Sequence, residues 1–284
     1  MTGNEWRAID VKTIVARSLV VVAALLMYAG ASPAAELHPI VEVQSGYLLG
    51  ATKDGKWVKA DEAAKALPDQ TTYVVYSLTE SLGEVKGGKP KGEAGPCEGT
   101  LFVGVSDKPE KGVIALAAPW NALPRKLRPL DTTQAVYIDA VGGFLKTKGI
   151  TEPKVKIDSI FRVDLDGDGE DEVLITATNY FSQNNSMPMR SPAGSYSMVL
   201  LRRVVAGKVE TQLVEGEFHP KAYVRKEDSF DAPNAYKVMG AFDLDGDGKM
   251  EIVIGSNYYE GEEITIYRCD PKKVEALLTV ECGA

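Results

Sequence analysis

The stretch DLDGDG occurs twice in the chain, at residues 164–169 and again at residues 243–248. Each copy alternates aspartates with leucine and glycine, and a glutamate follows at the ninth position of the loop. Carboxylates this close together in a tight turn repel one another unless a cation neutralises them. Ca²⁺ takes about six to eight oxygen ligands in flexible geometry, whereas Mg²⁺ requires fewer ligands in stricter geometry. The two stretches therefore predict two calcium sites.

The predicted metal ligands are the acidic side chains of each loop, together with the backbone carbonyl of the residue at its seventh position. They are Asp164, Asp166, Asp168, Glu170 and Glu172 in the first loop, and Asp243, Asp245, Asp247, Lys249 and Glu251 in the second. Neither loop contains histidine or cysteine, so zinc and copper are poor candidates. The alternative is an acidic surface turn that binds no metal.

The residues that follow the loops indicate strands rather than helices. An EF-hand needs a bidentate glutamate at its twelfth position and a helix on each side. The twelfth residues here are Ile175 and Ile254, which lie in β-branched runs directly after the acidic stretch. Each loop is therefore expected to connect one strand to the next.

Both acidic loops belong to a longer internal repeat. IFRVDLDGDGEDEVLITATNY matches GAFDLDGDGKMEIVIGSNYY with one small gap, and SMVLLRRVVAGKVETQLVEGEF pairs with EITIYRCDPKKVEALLTVECGA. Each unit has the pattern of four consecutive strands, with the last two joined by a hairpin at Gly207 and Lys208 or at Lys272 and Lys273. The side chains predicted to face inward are Val163, Leu165, Val173, Ile175, Phe242, Leu244, Ile252 and Ile254.

This combination of loop and repeat resembles the FG-GAP and VCBS-type repeats. In that family a D-x-D-G-D-G-x-x-D/E loop joins two strands of a propeller blade, as in the calcium-binding blades of integrin α-subunits. The resemblance covers about residues 156–284, and the second unit is the closer match. The first unit departs from the pattern at Thr176, which replaces a glycine, and in a long insertion after Tyr180. The resemblance implies structural calcium and implies no enzymatic activity.

Two repeats are fewer than the roughly four to eight blades of a closed propeller. The favoured fold is therefore mainly β, with two four-stranded antiparallel, propeller-blade-like repeats at about residues 156–218 and 236–284. A small α+β domain at residues 36–150 is predicted to precede this repeat region of residues 151–284. Under the alternative, divergent N-terminal blades complete a single small β-propeller.

The N-terminal region has mixed secondary-structure signals. A hairpin is predicted to turn at Asp54 and Gly55, and the short helix DEAAKAL to be capped by Asp61 and ended by Pro68. Strands are predicted at TYVVYSLT, TLFVGV and VIALAA, with a loop from Gly83 to Pro96. A second helix is predicted between Asp131 and Gly149, with one apolar face formed by Tyr137, Val141, Phe144 and Leu145.

Residues 1–35 are predicted to be a signal peptide. Lys12 and Arg17 precede an apolar run from Leu19 to Ala29, and small residues follow that run. The run is short for a membrane span, so cleavage would release a secreted or periplasmic protein with no stable membrane insertion. An uncleaved N-terminal membrane anchor is the alternative.

Export would place the three cysteines of the chain where disulfides can form. Cys269 and Cys282 flank a predicted hairpin but would lie six to eight residues out of register, which is roughly 20–26 Å along a strand. A bridge from Cys97 to Cys282 is therefore favoured, and three buried reduced thiols are the alternative.

Composition and charge limit the classes of function. The chain has 284 residues, a formal net charge of -8 and a pI near 5.0, so nucleic acid and anionic membrane surfaces are not expected partners. Only two histidines occur, and a Ser-His or Cys-His relay would depend on His219.

The long segment from Ser182 to Ser197 has no counterpart in the second unit, and it could recognise a partner or be a tolerated insertion.

The function predicted from the sequence is that of an exported calcium-binding β-repeat protein. Calcium would stiffen its loops, and the sheets would act as a scaffold that binds a protein or a glycan. One alternative is a secreted hydrolase with structural calcium, which convergent polar side chains in a pocket away from the loops would favour. Another is an envelope protein with a purely structural role. Enzymatic activity stays open, with a non-enzymatic role favoured.

Overall fold

The computed structural model describes residues 36–92, 95, 97–180, 191–222 and 233–283. The described residues from Leu37 onward form one compact unit. The predicted signal peptide lies outside the described residues, as does most of the insertion from Ser182 to Ser197. Neither helix of the described part of the chain is long and apolar enough to cross a membrane.

The described residues form seventeen strands and two helices. The strands are β1 Leu37–Glu42, β2 Leu48–Lys53, β3 Lys56–Lys59, β4 Thr71–Tyr76, β5 Ser81–Gly87, β6 Lys91–Gly92, β7 Leu101–Phe102, β8 Ile114–Leu116, β9 Arg128–Pro129, β10 Ile157–Val163, β11 Glu172–Thr178, β12 Ser195–Val205, β13 Lys208–His219, β14 Ala235–Phe242, β15 Glu251–Tyr258, β16 Gly261–Asp270 and β17 Lys273–Gly283. The helices are α1 Ala60–Ala66 and α2 Ala135–Thr147.

The strands form four antiparallel sheets, which confirms the predicted mainly β class. A six-stranded sheet has the order β3-β2-β1-β8-β4-β5, and β6 pairs with β7 alone. A five-stranded sheet has the order β13-β12-β11-β10-β9, and a four-stranded sheet has the order β14-β15-β16-β17. Within the described ranges these sheets form no closed propeller.

Each predicted repeat folds into four consecutive antiparallel strands, β10 to β13 and β14 to β17. The hairpins turn one residue earlier than predicted, at Ala206 and Gly207 in the first repeat and at Pro271 and Lys272 in the second. Ala206 and Gly207 both have positive φ, so a two-residue turn is complete before Lys208 pairs with Val205.

One hydrophobic core contains residues of the three larger sheets, among them Leu116, Leu174 and Phe242, which are fully buried. All of the residues predicted to face inward are buried except Val173, which is partly buried. Since the acidic loops start at the ends of strands that fill this core, the packing of the core determines where each loop begins.

Between β2 and β5 the predicted hairpin is confirmed, the predicted helix cap is wrong, and the predicted loop is wrong in part. The β2–β3 hairpin turns at Asp54 and Gly55 as predicted. Asp61 does not cap α1, because the residue before the helix is Lys59 and Asp61 lies within the first turn. Part of the predicted loop from Gly83 to Pro96 is strand, since residues up to Gly87 pair with β4. Pairing with an existing strand there outweighs a glycine- and lysine-rich composition.

The predicted second helix is confirmed as α2. Val141 and Leu145 are buried, and Tyr137 and Phe144 pack beside them against the five-stranded sheet. This helix covers the face of the sheet that does not contribute to the core shared by the three sheets.

A disulfide joins Cys97 to Cys282, which confirms the favoured pairing. Cys269 lies opposite Val274 in the β16–β17 ladder, whereas Cys282 lies opposite Glu262 near the other end. Cys269 is a free thiol, and burial raises its pKa to about 12. The disulfide indicates an extracytoplasmic location for the protein.

Candidate metal centres

The two acidic loops occupy the same position in their sheets. The first connects β10 to β11, and the second connects β14 to β15. Val163 and Phe242, the last residues of the incoming strands, are buried. Leu165 and Leu244, which follow the first aspartate of each loop, are buried as well. Because apolar residues on both sides are anchored in the core, the first aspartate of each loop is held at the end of its sheet.

The first aspartate of each loop closes the turn. The carboxylate of Asp164 accepts hydrogen bonds from the backbone N–H groups of Gly167 at 2.6 Å and Gly169 at 3.2 Å. Asp243 accepts the two equivalent bonds in the second loop at 2.8 and 3.1 Å. Both glycines of the first loop have positive φ, which glycine adopts without strain. The alternating glycines therefore let the backbone wrap around one carboxylate.

The glutamate at the ninth position closes the loop from its other end. Glu172 accepts a hydrogen bond from the backbone N–H of Leu165 at 2.8 Å, and Glu251 accepts the equivalent bond from Leu244 at 3.1 Å. Each glutamate is the first residue of its outgoing strand and is buried. The backbone bond thus fixes a buried carboxylate beside the start of the loop.

Three of the predicted ligands converge in each loop. Within each group, one oxygen atom of every carboxylate lies within 4.8 Å of the others. Two oxygens on the same calcium ion, each about 2.3–2.6 Å from it, can lie up to about 5.2 Å apart, so this spacing is compatible with one shared ion. The converging residues are Asp164, Asp166 and Glu172 in the first triad, and Asp243, Asp245 and Glu251 in the second.

The remaining predicted ligands lie outside these triads. Asp168 accepts a hydrogen bond from the N–H of Glu170 at 2.8 Å, and Asp247 accepts one from Lys249 at 2.8 Å. Both aspartates therefore stabilise the exposed end of their loop with one carboxylate oxygen. Their action as ligands, and that of the carbonyls of Glu170 and Lys249, stays a prediction.

The second loop is the more buried one, and an arginine lies beside its carboxylates. Nη2 of Arg268 in β16 lies 2.6 Å from Asp245 and 3.6 Å from Glu251, whose side chains are 4% and 1% exposed. Arg203 occupies the equivalent place in the first repeat, but it donates to the carbonyl of Cys269 at 3.0 Å. The two sites therefore share a ligand pattern and differ in their nearest positive charge.

Burial perturbs the carboxylates of both triads. Burial, followed by the charge of Asp245, raises the pKa of Glu251 to about 8. Burial is also the main cause that raises the pKa values of Asp243 and Asp245, and that of Glu172 in the first loop. A raised pKa means that the ionised carboxylate is unfavourable in its surroundings. A cation bound at the triads would remove that penalty.

Two side chains beside the loops could not be found from the repeat. Trp120 donates its indole N–H to the carbonyl of Asp243 at 2.9 Å, and its ring packs against Gly246. Arg125 donates to backbone carbonyls of both loops. Both residues come from the segment between β8 and β9, outside the repeats. Arg268 could have been found from the sequence, because an arginine occurs near the same place in both units.

The other candidates from the sequence lie away from the loops. His219 forms a short contact with the carboxylate of Glu217. A groove of about 360 Å³ is lined by residues of the β1–β2 turn and of β14 to β16, among them Glu42 and Lys237, and by no residue of either loop. The carboxylate of Glu42 already accepts a hydrogen bond from the backbone N–H of Ser45 at 2.6 Å.

The fold and the loops define a mainly β protein with two carboxylate triads that fit a hard cation such as calcium. No protein-family model, curated protein or solved structure matches the chain. The assignment to a class therefore depends on the geometry of the loops alone.

Proposed function

We propose that the protein is an exported calcium-binding β-repeat protein in which two calcium ions stabilise the ends of two sheets. The observation that carries this proposal is the equivalence of the two loops. Each loop makes the same five bonds from backbone N–H groups to its own carboxylates, and each brings three carboxylates together. Two unrelated acidic turns would have no physical reason to share so many contacts.

Calcium is favoured over magnesium by the ligands and by their attachment. The triads offer only carboxylate oxygens, and carbonyls at the loop ends can complete a shell of about six to eight ligands. Magnesium keeps several waters and requires near-octahedral geometry, which a loop braced by backbone hydrogen bonds does not readily provide. The resemblance to FG-GAP and VCBS-type repeats supports the same ion.

A structural role for the ion follows from where the triads lie. The glutamates are the first residues of strands that fill the shared core, and the carboxylates are buried enough for their pKa values to be raised. Neutralising them would stabilise the strand ends without exposing the ion to a substrate groove. Recognition of a protein or glycan by the sheet surfaces is the role we propose for the scaffold.

The hydrolase alternative has less support. Cys269 is protonated at neutral pH because burial raises its pKa to about 12, so it is a poor nucleophile. The groove that contains Glu42 is polar, but that carboxylate is bonded to its own turn.

A purely structural envelope protein would have the same calcium sites and would differ only in lacking a protein or glycan partner. Secretion or periplasmic location follows from the predicted signal peptide and agrees with the disulfide.

Thermal unfolding of residues 36–284 tests the proposal. Calcium at about a hundred times its dissociation constant should stabilise the folded chain by about 2.7 kcal/mol per site, relative to chelator, and magnesium should give a smaller effect. The variant Asp166→Asn with Asp245→Asn should lose the calcium effect. The matched control is Asp61→Asn with Asp139→Asn, which removes the same charge from exposed positions outside the loops and should keep the effect. Equal calcium effects in both variants would contradict the proposal.

A further inference from the structure

Arg125 and a backbone hydrogen bond join the two acidic loops directly. The Arg125 guanidinium donates from Nε to the carbonyl of Asp164, and from Nη2 to the carbonyls of Leu165 at 3.0 Å and Gly248 at 2.7 Å. The first two carbonyls belong to the first loop and the third belongs to the second. The backbone N–H of Met250 in the second loop also donates to the carbonyl of Leu165 at 2.8 Å.

Two of the bridged residues are also bonded to a triad carboxylate. Leu165 accepts from Arg125 through its carbonyl, and its N–H donates to Glu172. Gly248 accepts from Arg125 through its carbonyl, and its N–H donates to Asp243. A hydrogen-bonded path therefore runs from one triad to the other through the backbone of Leu165, one guanidinium and the backbone of Gly248.

We propose that Arg125 couples the two cation sites, so that an ion in the first loop strengthens binding in the second. This inference rests on the proposed calcium function. Charge alone would act in the opposite direction, because each bound cation lowers the negative potential at the other loop. A guanidinium that spans three carbonyls can transmit order between the loops, whereas an ammonium at the same place keeps the charge and loses the fixed fork of donors.

Arg128, the first residue of β9, provides a matched control three residues further along the chain. Its guanidinium lies 2.5 Å from the carboxylate of Asp171, which is part of the first loop. The contact made by Arg128 is therefore to one loop, while those of Arg125 reach both. The change Arg128→Lys alters an arginine beside the first triad and leaves the bridge in place.

The second site can be observed separately with terbium, a luminescent stand-in for calcium that is sensitised by nearby indole rings. Trp120 packs against Gly246 in the second loop, and Trp57 lies 6.0 Å from the guanidinium of Arg268 beside the second triad. These are the tryptophans of residues 36–284. Sensitised emission should therefore report mainly on terbium bound in the second loop.

The experiment measures terbium affinity at the second site with the first site intact or disabled by Asp166→Asn with Glu172→Gln. Disabling the first site should weaken terbium binding at least about fivefold in the parent chain and in Arg128→Lys. In Arg125→Lys the same change should weaken it less than about twofold. Equal weakening in the Arg125→Lys and Arg128→Lys backgrounds, or none in the parent chain, would overturn the coupling.

Reciprocity provides a test that does not depend on the folding of an Arg125 variant. Disabling the second site by Asp245→Asn with Glu251→Gln should weaken calcium binding at the first site at least about fivefold, measured by calorimetry, because coupling acts in both directions. Calcium binding at the first site that is unchanged in this variant would overturn the coupling. Two calcium sites that bind independently would contradict the coupling and leave the proposed function standing, whereas a parent chain that binds neither terbium nor calcium would contradict both.

Discussion

Replacing Glu251 with glutamine should have opposite effects on the stability of the protein without and with calcium. The side chain of Glu251 is 1% exposed, and burial and the charge of Asp245 raise its pKa to about 8. Glutamine has the same shape as the protonated acid and can still accept the 3.1 Å hydrogen bond from Leu244. The substitution therefore removes a buried charge from the metal-free loop, but it also removes a calcium ligand.

The size of the effect follows from the pKa of Glu251. Because the folded chain binds this proton more tightly than the unfolded chain, the free energy of unfolding of the metal-free protein falls as pH rises from 4.5 to about 8. At about 1.4 kcal/mol per pH unit, the fall amounts to at most about 5 kcal/mol. Glutamine does not titrate, so Glu251→Gln should remove this fall and be the more stable protein near pH 8, with little difference near pH 4.5.

Urea unfolding near pH 5 and pH 8, in chelator and in calcium, measures both effects. In chelator at pH 8, the variant should have a higher free energy of unfolding than the wild type. In calcium, the variant should lack about 2.7 kcal/mol of the stabilisation that a saturating concentration of the ion gives the wild type. Glu172→Gln makes the equivalent change in the first loop, where burial also raises the pKa of the glutamate. A metal-free wild type whose stability does not fall between the two pH values would refute the reasoning and would mean that Arg268 already compensates the charge.

Three further changes test other parts of the structure. Arg268→Met removes the guanidinium 2.6 Å from Asp245, so the fall in melting temperature on adding chelator should be larger than in wild type, and an equal fall would contradict this role. Cys97→Ser opens the disulfide to Cys282 and should lower the free energy of unfolding by about 2–5 kcal/mol, whereas an unchanged urea midpoint would show that the bridge contributes nothing. Gly246→Ala should destabilise the protein more than Gly248→Ala. Both glycines have positive φ, which costs about 1–2 kcal/mol for alanine, but only at Gly246 would the added carbon also meet Trp120, at 3.1 Å. Equal losses of stability would argue against that contact.

The strand order of both repeats could be predicted because their apolar residues alternate and their loops mark the strand ends. Hairpin register excluded a bridge between Cys269 and Cys282, which left Cys97 as the partner of one of them. The triads were predictable because all their members lie within nine residues of one another along the chain.

Contacts between distant segments could not be predicted. Arg125 and Trp120 reach the loops only because the segment between β8 and β9 crosses beside both of them. No local pattern marks such a crossing, since it depends on how three sheets pack around one core. The extension of β5 to Gly87 was missed for another reason, because a strand of weak propensity is stabilised there by its pairing with β4.

Calorimetric titration of residues 36–284 with calcium tests the central claim most directly. The wild type should bind two calcium ions, and the variant Asp166→Ala with Asp245→Ala should lose both sites along with the thermal stability that calcium confers. No binding by the wild type, with the same melting temperature in calcium and in chelator, would contradict the assignment of the two triads as calcium sites.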